Sequence, residues 1–167
     1  MHAITGKVWK FGHNVDTDAI VPGQYLDAPV QEVAAHALAG LRPEFPSRVR
    51  PGDLIVAGSN FGCGSSREHA ASVLKHLGLG LVLAESFGRI FFRNAIAVGL
   101  PVLACPGVHE AFEDGQTASV RLDQVLVTNR ETGRELRGEA LSEQMLLILE
   151  KGGILELLKE HQGVKRD

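Results

Sequence analysis

The sequence predicts an α/β fold, a parallel core with antiparallel additions, in one domain spanning residues 1–167. Three observations predict it. Apolar runs of strand length at 53–57, 79–84 and 101–104 are separated by two helical stretches, 66–77 and 89–98. Strand, helix, strand, helix, strand is the order of a parallel sheet with right-handed crossovers. From 117 to 136 the pattern changes to partial alternation with a Thr132-Gly133 turn, which reads as antiparallel strands. Finally, 167 residues that are 44% hydrophobic suffice for one real core.

The elements follow in order. Gly6 to Lys10 reads as a short strand. Asn14 to Gly23 reads as a loop, because Asp16, Asp18, Pro22 and Gly23 are turn residues. Gln31 to Leu38 has helical periodicity. Pro43, Pro46 and Pro51 make 41–52 irregular or only briefly helical. The helix over 66–77 stops at Gly78, and the helix over 89–98 stops at Gly99. Strands are expected at 117–122, 125–128 and 135–136. Amphipathic helices are expected at 141–150 and 154–160, separated by Gly152-Gly153.

Composition excludes several classes of function. Seventeen basic against twenty acidic side chains give a net charge of −3, without the footprint of a nucleic-acid binder. The Lys165-Arg166 pair is too short for a basic tail. Met1 to Trp9 has one lysine and no long apolar run, so no secretory leader is expected. No stretch of eighteen apolar residues exists, so no membrane span is expected. Two cysteines, Cys63 and Cys105, argue against a disulfide scaffold and point to a reducing, cytoplasmic compartment.

The chemistry concentrates in Asn60-Phe61-Gly62-Cys63-Gly64-Ser65-Ser66-Arg67-Glu68-His69-Ala70, between a strand and a helix. Glycines there allow a sharp turn and a close approach to a ligand. Ser65 with Glu68 three residues later has the spacing of a capping box. A helix start offers free amides and the positive end of a dipole to an anion. Arg67 opposes that dipole unless a carboxylate arrives to accept its forked hydrogen bonds. On these local features, a solvated arginine on an ordinary capped helix is an equal alternative. Asp16 and Asp18 likewise read as turn acids on local grounds alone.

The unbroken Gly-Cys-Gly-Ser-Ser-Arg-Glu-His-Ala run resembles the signature of the aconitase-family swivelling domain. Two further blocks are similar to that family. One is the N-terminal loop His13-Asn14-Val15-Asp16-Thr17-Asp18-Ala19-Ile20-Val21-Pro22. The other is Glu85-Ser86-Phe87-Gly88-Arg89-Ile90-Phe91-Phe92-Arg93-Asn94, where Gly88 replaces a common Ala. The chain's length is similar to the separate small subunits of this family.

The resemblance implies a swivelling-type β/β/α domain and a hydro-lyase that moves a hydroxyl between adjacent carbons. It implies that Ser65 is the base, that Asp18 is an active-site acid, and that Ser66, Arg67 and Thr17 serve substrate binding. It also implies a [4Fe–4S] cluster on a large partner subunit, in a heterodimer or heterotetramer that is inactive without it. The cysteine count is consistent with this, because a cubane takes thiolates from several cysteines and this chain has two. Cys63 is expected as a small site-lining or buried thiol. A papain-like reading of Cys63 fails, because Ser66 stands at that signature's nucleophile position. His69 is expected to be structural. Arg89 and Arg93 fit an anion site and a partner-facing helix equally well.

Substrate choice in the family is expected in the loop holding Tyr25, Leu26 and Asp27. Tyr25-Leu26 resembles the isopropylmalate branch, which isomerises 2- and 3-isopropylmalate in leucine biosynthesis. Homoaconitase-type members place Arg after Tyr-Leu to meet an extra carboxylate, which Asp27 would repel. Homoaconitase, a citraconate or dimethylmalate hydro-lyase, and a non-catalytic binding domain stay open. The ligand expected is a small di- or tricarboxylate hydroxy acid.

Overall fold

The computed structural model describes residues 3–166, without the side chains from 163 onward. The expectations for Met1, His2 and the Lys165-Arg166 side chains lie outside that range. Seven strands form one sheet in the order β4-β3-β2-β1-β5-β6-β7. The strand β1 (Ile4–Lys10) joins its two halves. On one side it pairs in parallel with β2 (Leu54–Ala57), placing Val8 opposite Leu54 and Lys10 opposite Val56. Beyond lie β3 (Leu81–Ala84) and β4 (Val102–Ala104), both parallel. On the other side β1 runs antiparallel to β5 (Thr117–Arg121), which pairs with β6 (Leu126–Asn129) and then β7 (Glu135–Arg137).

The side chains explain this division. Every residue of β2 and β3 is buried, as in parallel strands covered on both faces. In β5 and β6 buried and half-buried residues alternate, as in a sheet with one face covered. The parallel core and the antiparallel additions are therefore as the sequence predicts.

The helices depart more often from expectation. Within the predicted loop 14–23 lies a short helix, α1 (Thr17–Ile20). Asp16 nucleates it by accepting a hydrogen bond from the Ala19 amide at 2.8 Å. A 3-10 turn, Gly23–Tyr25, follows. The helix expected over 31–38 is shorter, α2 (Val30–Ala34), and 41–52 holds only α3 (Phe45–Arg48). The helix expected from Ser66 begins later, as α4 (His69–His76). By contrast, α5 (Arg89–Val98) ends at Gly99, φ 83°, as predicted. A short α6 (Val108–Ala111) was not predicted; the Glu85 carboxylate organises its start, accepting from the amides of Gly107 (2.8 Å) and His109 (2.9 Å). The last two are α7 (Glu143–Lys151) and α8 (Ile154–Arg166).

The helices α2 and α5 pack on α4, and α7 and α8 pack on α5. Lys75 ties this layer together by donating to the carbonyls of Val98 (2.5 Å) and Gly152 (2.8 Å). A cation is favoured at those two helix C-termini. Among the described residues no helix is long and apolar enough to cross a membrane. The loops that carry the signature residues leave the carboxyl ends of β1, β2 and β3, where open α/β sheets bind ligands.

Candidate active site

Parallel pairing of β1 with β2 does not stop where the strands end. It continues as an irregular ladder between 11–17 and 56–65. The Phe11 amide donates to Val56 O (2.8 Å), Gly58 to Gly12 O (3.0 Å), Asn14 to Ser59 O (2.8 Å), Gly62 to Val15 O (2.7 Å) and Thr17 to Cys63 O (2.9 Å). On the other flank, the Phe61 amide donates to Ser86 O (3.0 Å) and Gly88 donates to Phe61 O (2.9 Å). The signature loop is thus clamped by both other blocks that resemble the family.

Glycine is required at two points of this clamp. Gly62 has φ +80°, and a Cβ there would lie 2.3 Å from the Phe91 ring. A Cβ on Gly88 would lie 2.8 Å from Gly62 O. α5 therefore begins hard against the signature loop.

The ladder delivers Ser65 to Thr17, whose hydroxyl donates to Ser65 O at 2.7 Å. Thr17 Oγ1 also lies 3.3 Å from Ser65 Oγ. A hydroxyl has one proton to give, so in this second contact Ser65 is the donor. Arg67 Nε donates to Ser65 Oγ at 3.2 Å. The remaining arms of the guanidinium reach Asp18 Oδ1 (2.6 Å) and Val21 O (2.5 Å). Arg67 is 17% exposed, whereas Asp18 is 62% exposed.

Four expected site residues therefore meet: Ser65, Arg67, Asp18 and Thr17. Ser66 is exposed beside them. The other three lie on the neighbouring loop. Leu26 and Asp27 are exposed, and Tyr25 stacks on His36 with ring centroids 4.2 Å apart and planes 7° apart.

Three expectations need correction. The Ser65–Glu68 capping box does not form: Glu68 itself is the N-cap of α4 and makes no side-chain cap bond. Ser65 sits ahead of the helix because its hydroxyl is held by Arg67 and its carbonyl by Thr17. Arg67 consequently does not oppose a helix dipole, and its fork is already occupied within the chain. His69 is the exposed first residue of α4, so it does not lie on the same helix as Ser65, which precedes it. Cys63 is half-buried, as expected of a site-lining thiol. The sequence reading missed His13 and His36; His13 stands inside the quoted N-terminal block, and nothing in the sequence marks His36.

The chemistry of the donors does not fit an iron–sulfur cluster. Cys105 is fully buried, and burial with the nearby Glu85 charge pushes its thiol up to about 11. Among the described residues no three His, Cys, Asp or Glu side chains come together to hold a metal. A cleft of about 600 Å³, lined by residues of α4, α5 and α8, shares no residue with the Ser65 cluster.

The fold and this cluster define an aconitase-type swivelling domain, and the Aconitase C-terminal domain model matches residues 38–106. The 3-isopropylmalate dehydratase small subunit 1 of Methanopyrus kandleri is 54% identical over 93% of this chain and 92% of its own. The methanogen homoaconitase small subunit of Methanothermobacter thermautotrophicus is 50% identical, covering 91% and 88%. A crystal structure of 3-isopropylmalate dehydratase from Methanocaldococcus jannaschii superposes with a TM-score of 0.91, at 40% identity over 98% of both chains. The chain belongs to the family of 3-isopropylmalate dehydratase small subunits, hydro-lyase subunits that work with a large subunit.

Proposed function

We propose that this chain, as one swivelling domain over 1–167, is the small subunit of a cytoplasmic 3-isopropylmalate dehydratase. In this reading the partner large subunit holds the [4Fe–4S] cluster, since the donors of this chain do not fit one. Substrate is dehydrated and rehydrated between the two subunits. The observation that carries the reading is the exposed Ser65 hydroxyl facing the half-buried Arg67 guanidinium at 3.2 Å.

Ser65 removes the proton from the carbon beside the hydroxyl-bearing one. A serine is a base only when its alkoxide is stabilised, and Arg67 supplies a positive donor at that oxygen. The proton of Ser65 points to Thr17 Oγ1, whose own proton is spent on Ser65 O. That proton is the one the Ser65 alkoxide takes from the substrate carbon, and rehydration returns it to carbon. Asp18 meets one arm of Arg67 with a carboxylate oxygen, and a substrate carboxylate takes the same place. Exchange of one for the other is straightforward because Asp18 is largely exposed. Water-excluded chemistry at so open a cluster needs the second subunit to cover it.

The 50% identical homoaconitase relative supports a second reading, an extra-carboxylate substrate. Asp27 argues against it by charge. The test is co-expression with the cognate large subunit, followed by specificity constants for 3-isopropylmalate and homoisocitrate. A higher value for 3-isopropylmalate is expected; a higher value for homoisocitrate moves the chain to the second reading. Absence of hydratase activity with both leaves a binding domain. Anaerobic reconstitution of the chain alone should yield no stoichiometric iron and sulfide.

A further inference from the structure

One rung of the ladder that delivers Ser65 is a titratable side chain. His13 Nδ1 accepts the Ser59 amide at 2.8 Å. The imidazole lies flat against Gly58, where a Cβ would be 2.1 Å from Nδ1 and 2.6 Å from two ring carbons. The next backbone rung, Asn14 N to Ser59 O at 2.8 Å, closes a two-bond clamp on Ser59. The residues on either side of this clamp need support. Asn14 (φ 55°) and Asn60 (φ 61°) both adopt the left-handed conformation, which costs a non-glycine residue energy. They are joined by Asn60 Nδ2 donating to Asn14 Oδ1 at 3.2 Å.

We propose that neutral His13 is a positioning residue for the Ser65 loop: its unprotonated Nδ1 holds the Ser59 amide, and protonation of the ring releases that rung. An imidazole nitrogen accepts only while it carries no proton, so the ring proton of the bonded state is on Nε2. A charged ring cannot keep the Ser59 bond, and the amide is left facing an N–H. The segment that loosens runs directly through Asn60, Phe61 and Gly62 into Cys63 and Ser65.

Titratable and charged groups face the ring from several elements. His109 on α6 lies against His13, with ring centroids 4.8 Å apart. Lys10 at the end of β1 and Arg42 line the same cleft of about 400 Å³. Asp16 lines it too and favours the charge. Arg42 is partly neutralised by Asp114 (2.6 Å) and Glu44 (3.0 Å). Burial, followed by the charges of Lys10 and His13, keeps the His109 pKa below its usual value against the pull of Glu85 and Glu110.

The inference rests on Ser65 as the reacting group only for its catalytic consequence. The rung itself is tested without catalysis, by amide-exchange NMR of the full chain while the His13 ring is titrated. The protection factor of the Ser59 amide should fall roughly fivefold on protonation, the size of one net hydrogen bond. His13→Asn, whose side-chain oxygen accepts but does not titrate, should keep that protection independent of pH. Ser65→Ala should leave the Ser59 response intact, which separates this inference from the assignment of the base. In the assembled enzyme, His13→Asn should flatten the acid limb of kcat by about the same factor with KM unmoved. An unchanged Ser59 protection factor across the His13 titration would overturn the proposal. So would identical kcat profiles for His13→Asn and the parent enzyme.

Discussion

The loop from Gly62 to Arg67 and the loop from Gly23 to Pro29 are held in very different ways. The first is bonded on both flanks by backbone groups of its neighbours and anchored by the fully buried Phe61. The second is a single 3-10 turn, bonded from Tyr25 N to Pro22 O at 2.9 Å and steadied by the Tyr25–His36 stack. Its Leu26 is 41% exposed. Few buried apolar contacts and exposed backbone bonds mark the low-stability end of a structure. The difference teaches that the free chain already arranges the Ser65 cluster, whereas the loop proposed to meet the substrate tail lies open to solvent.

The largest effect that would sharpen this contrast is at Ser65. In the assembled enzyme Ser65→Ala should lower kcat by about 10²- to 10⁴-fold, the scale of a positioned base. Folding should be unaffected, because Ser65 caps no helix. Near-normal turnover would show that the rigid loop holds something other than the base.

Next comes Arg67, which ties the first loop to Asp18 and Val21. Arg67→Lys keeps the charge but cannot serve Ser65, Asp18 and Val21 together. A loss of roughly 1–3 kcal/mol in kcat/KM is expected, the size of a charge-assisted hydrogen bond. Unchanged steady-state constants would mean that the guanidinium fork takes no part in binding.

Gly88→Ala probes how tight the clamp is. The added Cβ would sit 2.8 Å from Gly62 O, so the loop or α5 must shift. A misplacement of this kind should lower kcat by about tenfold or less, with the melting temperature little changed. An unaltered kcat would show that the loop tolerates displacement and would weaken the contrast.

The smallest effect belongs to the open loop. Two like charges ~6 Å apart in solvent repel by only ~0.7 kcal/mol, about threefold. Asp27→Asn, which removes the repelling charge, should therefore raise the ratio of specificity constants for homoisocitrate over 3-isopropylmalate by about threefold. A much larger change would mean that the partner buries this loop; no change would mean that Asp27 faces away from the substrate tail.

The sequence revealed elements whose signals are local. The buried runs of β2 and β3, the alternation in β5 and β6, and the Gly99 stop of α5 all follow from residues within a few positions of one another. The start of α4 was misread for the same reason in reverse. Ser65 and Glu68 have capping-box spacing, but distant partners compete for Ser65 and win. The helix at 17–20 was missed because Asp16 reads equally as a turn residue and as an N-cap. The signature run and the Asp16-Thr17-Asp18 block were legible as two separate motifs.

By itself, then, the sequence determined the parallel and antiparallel halves of the sheet, the family, and the four polar residues that form the cluster. Only the tertiary structure decided that Arg67 is spent on Ser65, Asp18 and Val21, that Gly88 lies hard against Gly62, and that His13 grips Ser59. The physical reason is distance along the chain. Secondary-structure signals repeat every two to four residues, whereas Thr17 and Ser65 are 48 residues apart and meet only because β1 and β2 pair in register and carry their loops forward together.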